Sequence, residues 1–288
     1  MKPFFIQGIG GIQRSGREQH IGSTICIHGG PGANCVTLYP FFPEQNIRGE
    51  WYFIDLPNHG RSSSTDGDWS RETCLEHLHR FASVLPKPLR LIGLSFGANV
   101  ALDWSNTYPQ DVELFVGISG CGDIQSVMQH QSAMVSTMPE ALLELMARQE
   151  TAAGAEADYL NNRIWLDSLD VWLRGNAGKD IYKQGTIEFR SNPIASAGYF
   201  QHWLAPKLHR KNIDRQLERL QELNIPGLLI WGKEDRMGSP ECAMGYNVAL
   251  QNISCLLLEE AGHCPFVDQP EVFFKTINQF FESAHQNR

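Results

Sequence analysis

The chain has 288 residues, 42% of them hydrophobic and 19% charged, which is typical of a globular protein with a large core. It has 24 basic and 32 acidic residues, and this net charge of −8 without any basic run argues against nucleic acid or a membrane as partner. No apolar run could span a bilayer or serve as a signal peptide, and the seven cysteines form no C-x-x-C pair, so we expect a cytoplasmic protein with reduced thiols.

The first predicted elements are strands separated by glycines. Residues 4–9 and the segment around Ile12 predict short edge strands or a hairpin. The β-branched run 23–27 predicts a buried strand that stops at a His-Gly-Gly-Pro-Gly loop, residues 28–32. This glycine density favours a loop whose N–H groups approach an anion, although a purely structural turn stays open. We interpret His28 as a hydrogen-bonded structural residue rather than a second base.

The next predicted strand, residues 51–54, runs into a polar turn at residues 55–62. Asp55 could act as a catalytic acid and His59 as a base. We favour structural roles for both: Asp55 accepts hydrogen bonds from backbone N–H groups of the loop, and His59 is a loop residue.

An amphipathic helix is predicted from near Ser70 to just before Pro86. The apolar run 89–94 that follows ends in Gly-Leu-Ser-Phe-Gly, and a helical pattern begins at once. A strand that turns sharply into a helix would hold Ser95 at the apex in a strained conformation. Gly93 and Gly97 would flank it because side chains there would clash. This is the G-x-S-x-G nucleophile elbow, and a tightly packed strand–turn–helix is the alternative.

Residues 112–118 predict a further buried strand, and the alternation of strands and helices predicts a mostly parallel sheet with helices on both faces. From 123 to 212 the pattern is helical, with helices expected at 139–150, 159–173 and 194–208. We predict that residues 1–122 and 213–288 form an α/β core and residues 123–212 an inserted all-helical cap, or lid. Trp165, Trp172 and Trp203 of this cap are candidates for a substrate wall, and ordinary packing is the alternative.

The strand pattern resumes at 225–231, which is followed by Asp235. A helix is expected near 240–250, a last strand at 254–258, and a C-terminal helix after Pro270. His263 follows the last strand. Cys264 beside it could make activity sensitive to oxidation, but we expect it to pack.

Three candidate groups follow successive buried strands, namely Ser95, Asp235 and His263. The carboxyl ends of parallel strands meet at one edge of a sheet, so we expect them to converge. A serine hydroxyl becomes nucleophilic when an imidazole takes its proton, and a carboxylate orients that imidazole. The N–H groups of Phe96 and Gly30 are candidates for the oxyanion hole.

The chain resembles an α/β-hydrolase-fold enzyme with a helical cap. The resemblance extends over nearly the whole chain and is carried by the glycine loop, residues 55–62, the elbow, Asp235 with Gly232, and His263 with Gly262 and Pro265. It implies that Asp235 is the acid, with Glu234 and Asp123 as alternatives. The serine at the elbow argues against the branches that use an aspartate nucleophile.

The glycine loop is similar to that of proline-iminopeptidase-type enzymes, which have tryptophan where this chain has Phe96. Those enzymes grip a free amino terminus with acidic cap residues, for which Glu140, Glu144, Glu150, Glu156 and Glu188 are candidates. We therefore predict a hydrolase of a small ester or thioester that acts through an acyl-enzyme on a small-molecule substrate, without cofactor or metal. A proline-iminopeptidase-like aminopeptidase is the alternative, followed by a lyase, C–C hydrolase, acyltransferase or non-catalytic receptor. The oligomeric state does not follow from the sequence.

Overall fold

A computed structural model describes residues 1–16, 22–120, 127, 129, 132–133, 135–173, 178–186, 192–199, 201, 203, 210–238 and 252–286. Within these residues, eight strands form one sheet. The strands are β1 Lys2–Ile6, β2 Ile9–Ser15, β3 Ser23–Ile27, β4 Glu50–Ile54, β5 Leu89–Leu94, β6 Val112–Ile118, β7 Gly227–Gly232 and β8 Ile253–Leu258. Every strand predicted from hydrophobic runs is present, with ends shifted by no more than two residues in β3 to β8.

The strand order in space is β1-β2-β4-β3-β5-β6-β7-β8. The predicted N-terminal hairpin is confirmed, since β1 pairs antiparallel with β2, and β2 antiparallel with β4. All other neighbouring strands are parallel. Because β3 lies between β4 and β5, the order reverses there, and loops after the strands on either side leave a crevice at the carboxyl edge.

Helices cover both faces of the sheet. Their bounds are α1 Arg71–Ala82, α2 Phe96–Thr107, α3 Glu140–Gln149, α4 Gly154–Trp172, α5 Lys179–Gly185, α6 Pro193–Tyr199, α7 Arg210–Glu222, α8 Pro265–Asp268 and α9 Pro270–Gln286. The predicted start of α1 is confirmed, because the Ser70 side chain accepts a hydrogen bond from the Thr73 N–H at 3.2 Å and caps the helix. None of the described helices is long and apolar enough to span a bilayer.

Each face of the sheet has its own apolar core. On one face, side chains of α1, α2 and α7 such as Phe81, Trp104 and Leu217 are fully buried. On the other face, Phe42 lies 5.1 Å from Phe274 of α9, ring centroid to ring centroid. With both faces covered, β3 to β7 are buried almost throughout, which explains their continuous rather than alternating hydrophobic pattern.

Between β6 and β7 the described residues form helices and no strand. The predictions for 139–150 and 159–173 are confirmed by α3 and α4, and α6 covers the start of the segment 194–208. The sequence reasoning missed α5 and α7, although Ile213, Leu217 and Leu220 follow a helical spacing in α7. Helix α7 crosses the predicted cap boundary at 212, and it packs on α2 of the core. The helix expected at 240–250 lies outside the described residues.

Candidate active site

Ser95 occupies the turn between β5 and α2, with φ 54° and ψ −116°. A positive φ is strained for a serine, and neighbouring contacts enforce it. A Cβ at Gly93 would overlap the carbonyl oxygen of Gly97, and a Cβ at Gly97 would overlap the carbonyl oxygens of residues 27 and 28. The Ser95 N–H also donates to the Ile118 carbonyl oxygen at 2.7 Å. The predicted elbow geometry is therefore present.

Ser95 lines a cavity. Its hydroxyl makes no capping hydrogen bond to α2, although the residue stands at the N-cap position. Phe96 is the first residue of the helix, so its N–H has no partner within the helix. Gly30, with φ 112°, lines the same cavity from the glycine loop. The positive end of α2 thus lies beside the serine, and Gly30 lines the same cavity.

Asp235 and His263 are brought together as predicted. Asp235 follows β7, His263 follows β8, and both are at least nine-tenths buried. His263 Nδ1 lies 2.9 Å from Asp235 Oδ2 and 3.1 Å from Oδ1. A carboxylate accepts hydrogen bonds, so Nδ1 carries the proton and Nε2 is left as an acceptor. The N–H groups of Met237 and Gly238 donate to Asp235 Oδ1 at 2.8 and 3.1 Å and fix the carboxylate.

The structure distinguishes among the acidic candidates. Glu234 is exposed, whereas its neighbour Asp235 is 4% exposed and contacts His263. Asp123 lies outside the described residues. Of the two described candidates, Asp235 is the one that hydrogen-bonds to the imidazole, and it is the one that the family resemblance implies.

Ser95 and His263 line one cavity of about 340 Å³. The core lines the cavity through the strand-end loops. The segment between β6 and β7, which we call the insertion, contributes large side chains. Core lining residues include Gly29, Gly30, Ser95, Phe96, Asn99, Ser119 and His263, and those from the insertion include Trp165, Leu169, Trp172, Leu173, Tyr182 and Ser196. A concave, largely apolar site with a few polar groups is typical of small-molecule binding.

Two buried histidines fix the glycine loop. The His28 ring has Nδ1 2.7 Å from the Gly29 carbonyl oxygen, and Nε2 accepts from the Leu56 N–H at 3.1 Å. His59 Nε2 accepts from the Gly32 N–H at 2.9 Å. Burial lowers the pKa of His28 to about 4 and, together with the proximity of His28, that of His59 to about 3. Both rings are neutral structural groups, so the prediction for His28 is confirmed, and His59 has a larger role than a loop residue.

The predicted role of Asp55 is also confirmed. Its fully buried carboxylate accepts from the Cys35 N–H at 2.7 Å and from the Arg61 N–H at 2.8 Å. These bonds join the turn after β4 to the chain that follows the glycine loop. No hydrogen bond joins Asp55 to His263 within the described residues, and Asp55 is a structural anchor.

The insertion contacts the glycine loop directly, which sequence reasoning missed. The Asn192 N–H donates to the Gly32 carbonyl oxygen at 2.8 Å, and a Cβ at Gly32 would overlap Ser196. Tyr199 of α6 stacks on His59, with ring centroids 5.5 Å apart. Gly32 therefore lies between a core histidine and the insertion. No local sequence pattern marks residues so far apart as partners.

Asp268 of α8 connects the histidine loop to the insertion, and it too was missed. Its two carboxylate oxygens accept from the Gly262 N–H at 2.9 Å and from the Gly178 N–H at 2.7 Å. Beside it, Cys264 is buried and lines the cavity together with Tyr182. Burial raises the pKa of the Cys264 thiol well above its usual value, so this thiol stays protonated and packs, as expected.

The three candidate tryptophans separate into two groups. Trp165 and Trp172, both on α4, line the cavity. Trp203 does not: it is fully buried behind Phe96, with ring centroids 5.4 Å apart. Its Nε1 donates to Asp103 Oδ2 at 2.9 Å. The prediction that Trp203 forms part of a substrate wall is wrong, because its hydrogen bond to a buried carboxylate draws the indole into the core.

Comparisons with known proteins agree with this architecture. A model of the alpha/beta hydrolase family matches residues 24–276. Human monoacylglycerol lipase ABHD6 is 24% identical over 276 residues, which are 94% of this chain and 78% of that protein. Proline iminopeptidase from Mycobacterium smegmatis has a similar structure, with a TM-score of 0.66 at 14% identity over 96% of this chain and 95% of its own. A putative lipase from Acinetobacter baumannii AYE has the same TM-score, 0.66, at 18% identity over 100% and 92%. The family model spans most of the chain, and the chain belongs to the alpha/beta hydrolase family.

Proposed function

We propose that the protein is a serine hydrolase that cleaves a small ester or thioester through an acyl-enzyme. The observation that supports this most is that Ser95, in its strained turn, shares a cavity with His263, whose Nδ1 is bonded to the buried Asp235. The helices between β6 and β7 act as the cap over this cavity in the proposal.

The mechanism assigns one role to each group. Ser95 Oγ attacks the substrate carbonyl carbon while His263 Nε2 takes its proton, and Asp235 stabilises the imidazolium that forms. The N–H groups of Phe96 and Gly30 donate to the oxyanion of the tetrahedral intermediate, and losing one such donor typically costs about 2.7–4 kcal/mol. The intermediate collapses, and the leaving alcohol or thiol takes the proton from His263. Water then attacks the acyl-Ser95 ester with the same base and releases the acid.

Charge in the cavity favours an ester over a free amino terminus. None of the described lining residues is Asp, Glu, Lys or Arg. Four of the acidic candidates of the cap, Glu140, Glu144, Glu150 and Glu156, are exposed and do not line it. The fifth, Glu188, lies outside the described residues. An ammonium group buried without a carboxylate is unfavourable.

The second candidate is a proline-iminopeptidase-like aminopeptidase. It is supported by the likeness to the M. smegmatis proline iminopeptidase over nearly the whole chain and by the similarity of the glycine loop. The lipase relative and the uncharged lining rank it behind the esterase.

Covalent labelling tests the proposal. A fluorophosphonate probe is expected to label the wild-type protein and not the Ser95→Ala variant. Turnover of p-nitrophenyl esters, acyl-CoA thioesters and aminoacyl-arylamides then ranks the candidates, and rapid turnover of the aminoacyl set alone would reverse the ranking. Mass spectrometry of the products shows whether water adds, which separates a hydrolase from a lyase or acyltransferase. Labelling that persists in Ser95→Ala contradicts the proposal.

A further inference from the structure

The cavity-lining residues with a buried polar atom that makes no hydrogen bond within the described part of the protein include Trp172 (Nε1) of α4 and three residues of the core. The three core residues are Asn99 (Oδ1), Ser119 (Oγ) and Trp231 (Nε1), and we refer to them together as the polar subsite. Their exposed fractions are 7%, 3% and 1%. None has a role in the proposed chemistry. Their convergence on one cavity requires an explanation.

Asn99 lies one helical turn after Ser95 on α2. Its Nδ2 is 3.5 Å from the Ser95 carbonyl oxygen. If the amide were turned over, two oxygens would face each other, so the orientation with Oδ1 away from that carbonyl is the favourable one. Oδ1 therefore offers an acceptor beside the elbow.

Ser119 follows β6, the neighbour of the elbow strand β5, and Trp231 lies near the end of β7, the next strand in the sheet. The Ser119 N–H donates to the Ile230 carbonyl oxygen at 2.8 Å. The carbonyl oxygen of Ile118, the residue before Ser119, accepts from the Ser95 N–H. Ser119 is also held at φ 47°. These backbone bonds hold Ser119 at the carboxyl edge of the sheet. Trp231 is the residue after Ile230. Its indole N–H can only donate a hydrogen bond, and it is the donor of the polar subsite.

Burying a polar atom without a hydrogen-bond partner destabilises a protein. An unpaired indole N–H also occurs at Trp104, but that side chain does not line the cavity. At the polar subsite, three residues that carry an unpaired acceptor, hydroxyl and donor line one cavity. A bound ligand group that both donates and accepts would satisfy them.

The chemistry of that group follows from the atoms. A hydroxyl can donate to Asn99 Oδ1 and accept from the Trp231 N–H. A carboxylate would face Asn99 Oδ1 without any described basic side chain in the lining, and an ammonium would have no described acidic one. We propose that the polar subsite binds an uncharged hydroxyl group of the substrate and selects hydroxylated esters over their deoxy analogues. This inference rests on the proposed function and adds a substrate class to it.

Two matched substrate pairs test the inference and locate the hydroxyl. In the first, 1-butanoylglycerol and propyl butanoate differ only in hydroxyls of the alcohol portion. In the second, the p-nitrophenyl esters of 3-hydroxybutanoate and butanoate differ in the acyl portion. The wild type should prefer the hydroxylated member of one pair by about ten-fold or more in kcat/KM, and that pair identifies the portion bound.

The variants Asn99→Leu, Ser119→Ala and Trp231→Phe should each reduce that preference about five-fold or more, because kcat/KM falls for the hydroxylated member and not for its analogue. Trp104→Phe is the matched control, since it removes an unpaired indole N–H outside the cavity and should leave the preference unchanged. Fluorophosphonate labelling checks that each variant retains a competent Ser95.

The outcomes separate the subsite from the chemistry. Equal turnover within both pairs by a labelled wild type overturns the subsite alone, as do equal losses for both members in the three variants. If the wild type neither turns over esters nor reacts with the probe, the proposed function fails. Calorimetric titration of Ser95→Ala with 1-butanoylglycerol and propyl butanoate, and with the 3-hydroxybutanoate and butanoate esters, still tests the subsite, and equal affinity within both pairs overturns it.

Discussion

The two walls of the cavity are built in different ways. The wall formed by the strand-end loops is fixed by backbone geometry and by hydrogen bonds, such as those that hold Ser95 and Asp235. The wall formed by the insertion presents Trp165, Leu169 and Trp172 from a single helix, α4, and it is mainly apolar. One wall depends on atoms placed within tenths of an ångström, and the other on size and shape.

The two walls of the cavity therefore suit different functions. The strand-end loops supply groups that suit acyl transfer in general, and the insertion suits selection of a substrate. Proteins with the same fold as this chain include one named a proline iminopeptidase and one named a putative lipase. The fold alone therefore does not determine the substrate. Changes on the wall of strand-end loops, the loop wall, should alter kcat. Changes on the wall formed by α4, the insertion wall, should alter substrate preference.

The largest expected effect is on the loop wall at Ser95. Ser95→Ala should lower kcat by on the order of 10⁴-fold or more, because no nucleophile remains. The fold should persist with little change in the melting temperature, because alanine keeps the Cβ and therefore the same backbone strain at the positive φ. Single-turnover assays and thermal unfolding measure both. Residual turnover near the wild-type rate would show that the chemistry does not depend on this wall.

The orienting carboxylate is expected to have the next largest effect. Asp235→Asn should reduce kcat by about 10³–10⁴-fold, because an amide can donate to Nδ1 and stabilise the wrong tautomer of His263. Glu234→Gln, at the exposed neighbouring position, is the control and should keep full activity. Steady-state kinetics compares the two, and a larger loss in Glu234→Gln would move the acid to that residue.

The buried histidines of the glycine loop predict a loss of stability in acid. Their pKa values in the folded state, about 4 for His28 and about 3 for His59, are below the unfolded value near 6.5. The unfolded chain therefore binds protons first as the pH falls, and stability that is complete above pH 6.5 decreases towards pH 4. Each histidine contributes up to about 1.4 kcal/mol per pH unit in this window. Urea unfolding at several pH values measures the slope.

A variant isolates the contribution of one ring. His59→Gln should reduce that slope by about one proton's worth, about 1.4 kcal/mol per pH unit, because glutamine does not titrate. Its side-chain oxygen can still accept from the Gly32 N–H. An unchanged slope would mean that His59 is not buried as a neutral ring, and the anchoring of the loop wall would need another cause.

The smallest effect is expected on the insertion wall. Trp172→Ala should change kcat/KM by about ten-fold for bulky substrates, through KM, because it removes apolar contact area and leaves the reacting groups in place. Trp203→Phe is the matched control: it breaks the bond to Asp103, should destabilise the fold by about 1–3 kcal/mol, and should leave substrate preference unchanged. If Trp203→Phe changes the preference as much as Trp172→Ala, the two walls are not independent.

Much of the fold could be predicted from local patterns. Hydrophobic runs gave the strands because buried strands of a parallel sheet are continuously apolar, and glycines on both sides of Ser95 indicated a close approach of strand and helix. The order of Ser95, Asp235 and His263 along the chain was enough to predict that they meet, since they follow parallel strands. The structure brings Asp235 to His263 and places Ser95 with His263 on one cavity.

The missed features all depend on residues far apart in the sequence. Gly32 is bonded to His59 on one side and to Asn192 on the other, and Asp268 bonds both Gly262 and Gly178. The prediction places Trp203 in the substrate wall because the sequence around it does not show that Asp103 is its hydrogen-bond partner. Hydrogen bonds between distant segments leave no periodic trace.

The sequence by itself determined where the strands lie along the chain, the strained turn at Ser95 and the residue types at the strand ends, because each of these depends on neighbouring residues. The tertiary structure decided which carboxylate meets the imidazole, which tryptophans reach the cavity, and that Asn99, Ser119 and Trp231, which carry unpaired polar atoms, line it together. These outcomes depend on how the insertion and the strand ends pack together. Packing is a property of the whole chain and not of any short segment.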